Sequence, residues 1–357
     1  MSLTEHRKAI DKLDAEIVRL LNDRTQHVLA IGELKLAAGQ EIYAPHREIA
    51  VFERLQKINP GPITADGLHA IYREVMSSAI ALQKTQTIAY LGPEATFTHQ
   101  AAIQRFGSSL RYTAQKTVAD VFLDVTKLRA DYGVVPVENS TEGVVTHTLD
   151  MFVESDLKVV SQIILPIQFC LAGRGTAKAL RKLYCHPQAL AQCRNWVRLH
   201  LSEVEIIEAA SNARAVEMIG DETHSAAITG ALAAERYKMP ILECDIQDSA
   251  HNVTRFLVLG RVCSPSTGRD RTSVMFSIAD KVGALHESLA PFRRHRLNMT
   301  RIESRPSKRK AWEYFFFVDC DGHFKDPKVA KAIEELHKSC NFVKVLGSYP
   351  DTETARE

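Results

Sequence analysis

The 357-residue sequence lacks an excess of charge of either sign. Lys and Arg total 45 against 43 Asp and Glu, which leaves a formal net charge of +2. Proteins that bind nucleic acids or anionic membranes normally carry a strong basic surplus. No apolar run reaches the ~18 residues that span a bilayer, and the first residues lack the apolar stretch of a secretory signal. We therefore expect a cytoplasmic protein with no nucleic-acid partner and no membrane partner.

Cysteine is scarce and scattered. The 7 cysteines are an odd number and include no CxxC pair. Disulfide frameworks use paired cysteines, and structural zinc sites use closely spaced ones. The pattern therefore predicts reduced thiols, and we expect no metal and no cofactor.

Length and composition favour a multidomain globular protein. Hydrophobic residues make up 45% of the sequence and charged residues 25%, close to the globular average. At roughly 100–200 residues per domain, the length predicts two or three domains. Apolar periodicity and chain breaks divide the sequence into a helical segment 1–84, an α/β segment 87–263 and a tail 271–350. Alternating strands and helices in the α/β segment predict a mostly parallel sheet.

The helical segment opens with one very long predicted helix. Ser2 and Glu5 form a capping box, and apolar residues recur at three- and four-residue steps with no helix breaker before Gly39. This helix is expected to run about 35 residues, or roughly 50 Å. It is too long to bury itself in a monomeric domain of this size, so we expect a partner helix.

Two cations lie on the apolar stripe of this helix. Arg24 and Lys35 are expected on nearly the same face, with Cα atoms ~16 Å apart. Unpaired buried charge is costly. Either both side chains extend to solvent from the ends of the stripe, or a dianion lies between the helices. Arg7, about 25 Å further towards the N-terminus, can reach that dianion only from a neighbouring antiparallel chain.

A set of short motifs runs through this segment: Arg7-x-x-Ile-x-x-Leu-Asp14, Leu20-Leu-x-x-Arg24, Lys35, Tyr43-x-Pro-x-Arg47-Glu48 and Ala79-Ile-Ala-Leu-Gln83. The set resembles the all-helical chorismate mutases, which are intertwined dimers with paired first helices. The resemblance implies that the chorismate carboxylates are bound by Arg24, Arg47 and the partner subunit's Arg7. It also implies that Lys35 and Gln83 donate to the ether oxygen and that Glu48 accepts from the ring hydroxyl.

The chain departs from that family at two positions. Ala44 stands where the family often has Asp, and Ala79 stands where it often has Ser. Both departures remove secondary hydrogen bonds and leave the cationic group intact. We expect an active mutase whose rate these losses can lower.

Four polar motifs follow in the α/β segment: Tyr90-Leu-Gly-Pro-Glu-x-Thr-Phe-Thr-His99, Pro136-Val-Glu-Asn-Ser-x-Glu-Gly143, His186-Pro-Gln-Ala-Leu-Ala-Gln192 and Asn252-x-Thr-Arg-Phe256. Taken singly, each is explained by a helix cap, a helix start or a strand edge. Together and in this order they resemble the prephenate dehydratase family. The resemblance implies two α/β lobes, similar to periplasmic binding proteins, with chain crossings near 165–168 and 245–248.

This resemblance also assigns roles to side chains. Thr254 is expected to donate a proton to the departing C4 hydroxyl of prephenate, and Asn139 and Gln192 are expected to orient the substrate. Arg255 is a candidate ligand for a substrate carboxylate, with packing or a salt bridge at the strand edge as the alternative. Two further residues are expected beside this group, Glu138 and Ser140.

The tail reads as strand, helix, strand, strand, helix, strand, which is a ferredoxin-like α+β arrangement. Gly283-Ala-Leu285 opens its first helix and Glu303-Ser-Arg-Pro306 ends its second strand. A helix entry and a strand terminator explain these motifs singly, but both resemble motifs of the ACT domain. The resemblance implies feedback inhibition by L-phenylalanine, bound between paired domains by these residues: Gly283, Ala284, Leu285, Glu303, Ser304, Arg305 and Pro306.

The sequence therefore predicts an enzyme that converts chorismate to prephenate and prephenate to phenylpyruvate, as a homodimer or tetramer. One alternative is a dehydratase acting on prephenate or arogenate, with helices that only dimerise. Another is a ligand-sensing regulator, which the absence of a basic recognition helix disfavours.

Overall fold

The computed structural model describes residues 2–39, 41–307 and 313–351. These residues form two units. The helical unit contains the described chain up to Thr87 together with Arg105–Arg111, and the second unit contains Ile88–Gln104 and the described chain from Tyr112 onward. Within the described ranges, no helix is long and apolar enough to cross a membrane.

The helical unit is built on α1 (Leu3–Ala37), a helix of 35 residues. The Ser2 hydroxyl accepts from the Glu5 amide at 3.3 Å, and the Glu5 carboxylate accepts from the Ser2 amide at 2.6 Å. The predicted capping box and helix length are thus confirmed. Two shorter helices follow, α2 (Pro45–Ile58) and α3 (Ala65–Gln83), and their shared core contains Val51, Leu55 and Met76.

Most of α1 is left uncovered by the described residues. Gly32 is its one buried residue within that part of the chain. Four large apolar side chains spaced along it are each more than half exposed: Ile10, Leu13, Ile17 and Leu20. Burying one such side chain contributes about 1.5–3 kcal/mol. The face that the sequence predicts to meet a partner helix is therefore open in a single chain.

The second unit begins with a lobe built on a sheet of order β2-β1-β3-β11-β5, with β4 paired to β3. We call it the first lobe. Its strands are β1 (Thr87–Leu91), β2 (Arg111–Gln115), β3 (Tyr132–Asn139), β4 (Gly143–Val144), β5 (Lys158–Pro166) and β11 (Val253–Gly260). Its helices are α4 (Phe97–Phe106), α5 (Val118–Thr126) and α6 (Thr146–Met151).

The second lobe has a sheet of order β10-β6-β9-β7-β8. Its strands are β6 (Cys170–Gly173), β7 (Lys182–Cys185), β8 (Glu205–Glu208), β9 (Ser225–Thr229) and β10 (Ile241–Glu243). Its helices are α7 (Pro187–Gln192), α8 (Arg194–His200), α9 (Asn212–Ile219) and α10 (Ala231–Arg236), with a short 3-10 turn at Ala177–Ala179. The chain enters this lobe between β5 and β6 and leaves it between β10 and β11.

The prediction of a mostly parallel sheet is wrong, because both sheets are mixed. In the first lobe β1 and β3 are parallel, but β11 runs antiparallel to β3 and β5. In the second lobe β7 is parallel to β8 and β9, whereas β6 is antiparallel to β9 and β10. In the first lobe, β11 is antiparallel to β5 because the chain crosses to the second lobe and then crosses back. Since β5 runs out towards the second lobe and β11 returns from it, the two neighbours point in opposite directions.

The tail folds as predicted into β12 (Asp270–Ser277), α11 (Ala284–Arg294), β13 (Met299–Pro306), β14 (Tyr314–Asp321), α12 (Pro327–Ser339) and β15 (Phe342–Pro350). The antiparallel sheet has the order β13-β14-β12-β15, so the ferredoxin-like prediction is confirmed. The predicted third strand begins at Trp312, which lies outside the described residues.

The tail sheet and the first lobe share one hydrophobic core. Phe152 and Leu257 of the lobe belong to the same buried cluster as Met275 and Phe317 of the tail. The backbones approach closely at Gly347, where an added Cβ would collide with the carbonyl oxygen of Val159. The tail is therefore docked directly on the strands that carry the predicted dehydratase residues.

Candidate active sites

Gln83, the last residue of α3, lies across α1 in the helical unit. Its Nε2 donates to the Val28 carbonyl at 2.9 Å. An added Cβ on Gly32 would lie 2.8 Å from the Gln83 Cγ, so a larger residue there would displace this side chain. Nε2 carries a second N–H, which is available for a ligand.

Lys35 and Glu48 form the charged part of the same region. Lys35 Nζ donates to the Ile42 carbonyl at 2.9 Å. Burial lowers the pKa of Lys35, against the opposing effect of the Glu48 carboxylate. Burial raises the pKa of Glu48, although Arg105 and Lys35 act in the opposite direction. The Glu48 side chain is 13% exposed and forms an ion pair with Arg105, with Oε2 and Nη2 3.0 Å apart.

Arg24 completes the group on the face of α1. Its Nη1 is buried and has no hydrogen-bond partner among the described residues. A buried guanidinium nitrogen is unfavourable unless it meets an acceptor, so an anionic ligand suits this position. Arg7 and Arg47 are exposed, and Arg7 lies about 25 Å along α1 from Arg24. A single chain does not bring Arg7 to the group.

Thr254 and Asn139 lie opposite each other in the antiparallel pair of β11 and β3. Asn139 Nδ2 donates to Thr254 Oγ1 at 2.8 Å. Asn139 Oδ1 in turn accepts from the Thr141 and Glu142 amides at 2.9 and 3.0 Å. The Thr254 oxygen is therefore held by a fixed donor, and within the described chain nothing accepts the proton of its hydroxyl.

Asn252 connects this pair to the second lobe. Its Oδ1 accepts from Asn139 Nδ2 at 2.9 Å, and its Nδ2 donates to Gln192 Oε1 at 2.6 Å. Gln192 ends α7, and its Nε2 donates to the Glu142 carboxylate, which also accepts from Gln188 Nε2 at 2.6 Å. A continuous chain of amides and one carboxylate thus spans the two lobes.

Ser140 joins the two segments that lead into this site. Its hydroxyl donates to the His251 carbonyl at 2.8 Å and accepts from the Val253 amide at 3.0 Å. These bonds tie the end of β3 to the start of β11. The substrate contact that we expect of Ser140 stays a prediction, while its bonds here position the loop.

Arg255 lies on the other face of the sheet, because consecutive side chains of a strand point to opposite faces. Its Nη1 donates to Asp319 Oδ2 at 2.7 Å, its Nη2 to Tyr349 Oη at 2.8 Å and its Nε to Gln162 Oε1 at 2.9 Å. The carboxylate-binding role expected of Arg255 disagrees with this placement, since all three nitrogens are engaged away from Thr254. The alternative, a salt bridge, agrees with it.

Glu138 shares that far face, opposite Arg255 in the strand register. Its carboxylate forms an ion pair with Arg301 of β13, with Oε2 and Nε 3.0 Å apart. Glu138 therefore lies behind Asn139 and not beside it, because the pleat of β3 separates them. Both charged residues of the predicted dehydratase site instead connect the first lobe to the tail.

A pocket of about 500 Å³ opens at the start of α11. Its described lining includes Gly283–Leu285 and the aromatic side chains of Tyr314 and Phe316. The N-terminus of a helix suits a carboxylate, and aromatic walls suit an apolar side chain. The Ala284 amide already donates to the Lys281 carbonyl at 3.2 Å. Residues 303–306 lie on the edge strand β13 and are not part of this lining. Arg305 there pairs with Asp150 of the first lobe at 3.4 Å.

Comparison with known proteins identifies three family matches along the chain. Family models match chorismate mutase type II at residues 6–84, prephenate dehydratase at 88–264 and the ACT domain at 272–338. A bifunctional chorismate mutase/prephenate dehydratase from Aquifex aeolicus is 47% identical over 98% of this chain and 98% of its own. This chain belongs to that family. A further bifunctional relative, from Neisseria gonorrhoeae, is 43% identical over 98% of this chain and 97% of its own.

Solved structures of prephenate dehydratases also resemble this bifunctional chain. The enzyme from Arthrobacter aurescens in complex with L-Phe has a TM-score of 0.70 and 34% identity, covering 75% of this chain and 90% of its own. The Staphylococcus aureus enzyme has a TM-score of 0.65 and 28% identity, and the match covers 74% of this chain and 99% of its own. The predicted fold class and domain types are confirmed.

Two residues that are hydrogen-bonded to the predicted dehydratase residues were not themselves predicted, Glu142 and Asn252. Asn252 opens the motif that contains Thr254, and Glu142 follows Ser140 by two positions, so both belong to stretches already singled out. What the sequence did not reveal is that they link the lobes. The Glu142 carboxylate accepts from the side-chain amides of Gln188 and Gln192. Across the described ranges, no group of three His, Cys, Asp or Glu side chains could hold a metal ion.

The Gly32→Ala variant is expected to lower mutase activity by about tenfold or more, because a misplaced catalytic group can cost as much as ~100-fold. The added methyl group would push Gln83 out of its place across α1. Alanine favours a helix interior by about 1 kcal/mol over glycine, so unfolding of α1 would not explain a loss. Chorismate consumption measures the effect, with phenylpyruvate formation from prephenate as the control. Full mutase activity would contradict this placement of Gln83.

Proposed function

We propose that this chain rearranges chorismate to prephenate at the helical unit and converts prephenate to phenylpyruvate, CO2 and water between the two lobes. L-phenylalanine bound to the tail inhibits the second reaction. The observation that carries the proposal is the Thr254 hydroxyl, which Asn139 holds at the junction of the lobes and whose proton no group of the described residues accepts. We also propose a cytoplasmic location, which the 7 free cysteines support.

The mutase reaction is a pericyclic rearrangement and needs no nucleophile. The protein has to hold chorismate in a chair-like conformer and stabilise negative charge on the breaking ether bond. Lys35 and Gln83 supply the two donors for that oxygen, and Glu48 accepts from the ring hydroxyl. The carboxylates are bound by Arg24, Arg47 and Arg7 of the partner subunit. The buried Nη1 of Arg24, which has no hydrogen-bond partner in the described part of the chain, supports an anion at this position.

The dehydratase reaction removes two groups from the ring of prephenate. The bond to the ring carboxylate breaks, its electron pair enters the ring, CO2 departs, and the C4 hydroxyl leaves as water after accepting a proton from Thr254. Aromaticity of the product drives the step, so a weak proton donor suffices. The Asn139 N–H stabilises charge on the Thr254 oxygen, and Gln192 and Asn252 orient the substrate. The bonds between these side chains support the assignment.

Regulation and assembly use surfaces that one chain leaves incomplete. The carboxylate of phenylalanine binds at the N-terminus of α11, beside Gly283 and Leu285, and its ring binds the aromatic walls of the same pocket. Residues 303–306 contribute from a paired tail, which their position on the exposed edge strand supports. The uncovered apolar face of α1 supports a dimer through paired first helices.

One experiment tests the whole proposal. Purified protein is given chorismate, and separately prephenate, each with and without millimolar phenylalanine. We expect chorismate consumption, phenylpyruvate formation from either substrate, and inhibition of the second step alone. If only prephenate is consumed, the helices serve assembly. If neither is consumed while phenylalanine still binds, the protein is a sensor.

A further inference from the structure

Glu48 of the mutase site receives its closest charged partner from outside the chorismate mutase segment. That segment matches at residues 6–84, whereas Arg105 lies within the match to prephenate dehydratase at 88–264. Arg105 belongs to the last turn of α4, and the structure groups Arg105–Arg111 with the helical unit. The residues after it are anchored to α3, since the Ser108 amide and hydroxyl donate to Glu74 Oε2 at 2.9 and 2.7 Å.

The Arg105 side chain is fixed on more than one side. Its Nη2 lies 3.0 Å from Glu48 Oε2 and its Nε donates to the Tyr43 hydroxyl at 2.7 Å. Its guanidinium carbon lies 5.5 Å from the centroid of the Tyr43 ring. The side chains of Arg105 and Glu48 are 15% and 13% exposed. A nearly buried ion pair with this geometry fixes the direction of the carboxylate.

We propose that Arg105 is a positioning residue of the mutase, which holds Oε2 of Glu48, favours the charged carboxylate and leaves its Oε1 for the ring hydroxyl of chorismate. Arg105 occupies Oε2, and within the described chain no donor is bonded to Oε1. The inference rests on the assignment of Glu48 to the chorismate site. It means that the mutase site is completed by a residue that a chain ending at residue 84 would lack.

The charges around Glu48 explain why this partner is needed. A buried carboxylate tends to take up a proton unless cations face it. Among the described residues, the charged groups that face Glu48 are Lys35 from α1 and Arg105 from α4, and the neutral Tyr43 hydroxyl lies behind Arg105. Since the Lys35 ammonium is assigned to the ether oxygen, Arg105 is the cation that is left to neutralise the Glu48 carboxylate. A protonated Glu48 would no longer be a pure acceptor.

The Arg105→Gln variant tests the proposal in the full-length protein. We expect kcat/KM for chorismate to fall by about 10–100-fold and the acidic limb of the pH–rate profile to move to higher pH. Arg105→Lys, which keeps the charge, should restore part of the rate and of the profile. Turnover of prephenate should persist and reports that the variant is folded. If Arg105→Gln also loses prephenate turnover, the same rate and pH profile are measured on Tyr43→Phe. That variant removes only the hydroxyl that holds Arg105.

A matched control separates positioning from simple attachment of the segment. Glu74→Gln weakens the anchor of residues 105–111 on α3 without touching Glu48, and we expect an unmoved pH profile. An unchanged rate and profile in Arg105→Gln, or in Tyr43→Phe where that variant decides, would overturn the inference. Equal losses in Glu74→Gln and Arg105→Gln with no pH shift would also overturn it. The Glu48→Gln variant shows which claim fails. Normal mutase activity in this variant would overturn the assignment of Glu48 to the chorismate site, on which the inference about Arg105 rests.

Discussion

The Thr254→Ala variant is expected to lose dehydratase activity while it keeps mutase activity. Thr254 carries the hydroxyl that Asn139 orients, and the structure gives its proton no acceptor within the described residues. Loss of a positioned proton donor typically costs about 10²–10⁴-fold in rate. The measurement is phenylpyruvate formation from prephenate, with chorismate consumption followed on the same preparation.

Two substitutions at this position separate the hydroxyl from its volume. Thr254→Ser keeps the hydroxyl and should retain measurable dehydratase activity. Thr254→Val keeps the shape but loses the hydroxyl, and it should be as impaired as Thr254→Ala. Dehydratase activity near the normal rate in Thr254→Val would exclude Thr254 as the proton donor. Loss of both enzyme activities would instead indicate that the fold is damaged.

The partners of Thr254 show which part of a site can be predicted from sequence. Thr254 and Asn139 lie in recognisable motifs, and both are found together in the structure. The same motifs contain Arg255 and Glu138, which face away. Strand alternation separates such neighbours onto two faces, but it does not reveal what covers the far face. That depends on the docking of the tail, which is distant in sequence and carries Asp319 and Arg301.

The helical unit shows the same limit. A cap at Ser2 and the absence of breakers before Gly39 were sufficient to predict the length of α1, because both are local properties of the chain. The partner of Glu48 was not predictable in this way. Arg105 lies in a different family segment, beyond β1 and near the end of α4, and it contacts Glu48 from there. Local patterns predict elements, and contacts between distant segments decide which side chains meet.

The Asp319→Asn variant is expected to destabilise the contact between the tail and the first lobe strongly. Asp319 and Arg255 are 7% and 9% exposed and are joined at 2.7 Å. Ser273 also donates to the Asp319 carboxylate. Removing one partner of a buried ion pair leaves an uncompensated charge, which costs about 3–5 kcal/mol. The apparent midpoint of urea unfolding measures this, as an apparent value because the chain has several domains.

Controls within the same protein test the cause. Glu334 and Lys338 form an exposed pair on α12, with side chains 69% and 70% exposed, so Glu334→Gln should change the midpoint little. The double substitution Arg255→Met with Asp319→Leu removes both buried charges together. It should cost less than the sum of the two single substitutions. A midpoint for Asp319→Asn equal to that of the unmodified protein would refute the role of this pair.

The pH dependence of this effect follows from the same contacts. Burial by itself would raise the pKa of Asp319, but Arg255, Arg301 and the Ser273 hydroxyl outweigh it and hold the pKa below its ordinary value of 3.8. A carboxyl whose pKa is lower when folded stabilises the protein above its unfolded pKa and loses that contribution as the pH falls through the folded pKa. The stability difference between the unmodified protein and Asp319→Asn should therefore be constant above about pH 5 and narrow progressively in stronger acid. A difference that widened on acidification would mean that Asp319 is protonated in the folded protein, and the ion pair with Arg255 would then not be what holds the tail on the first lobe.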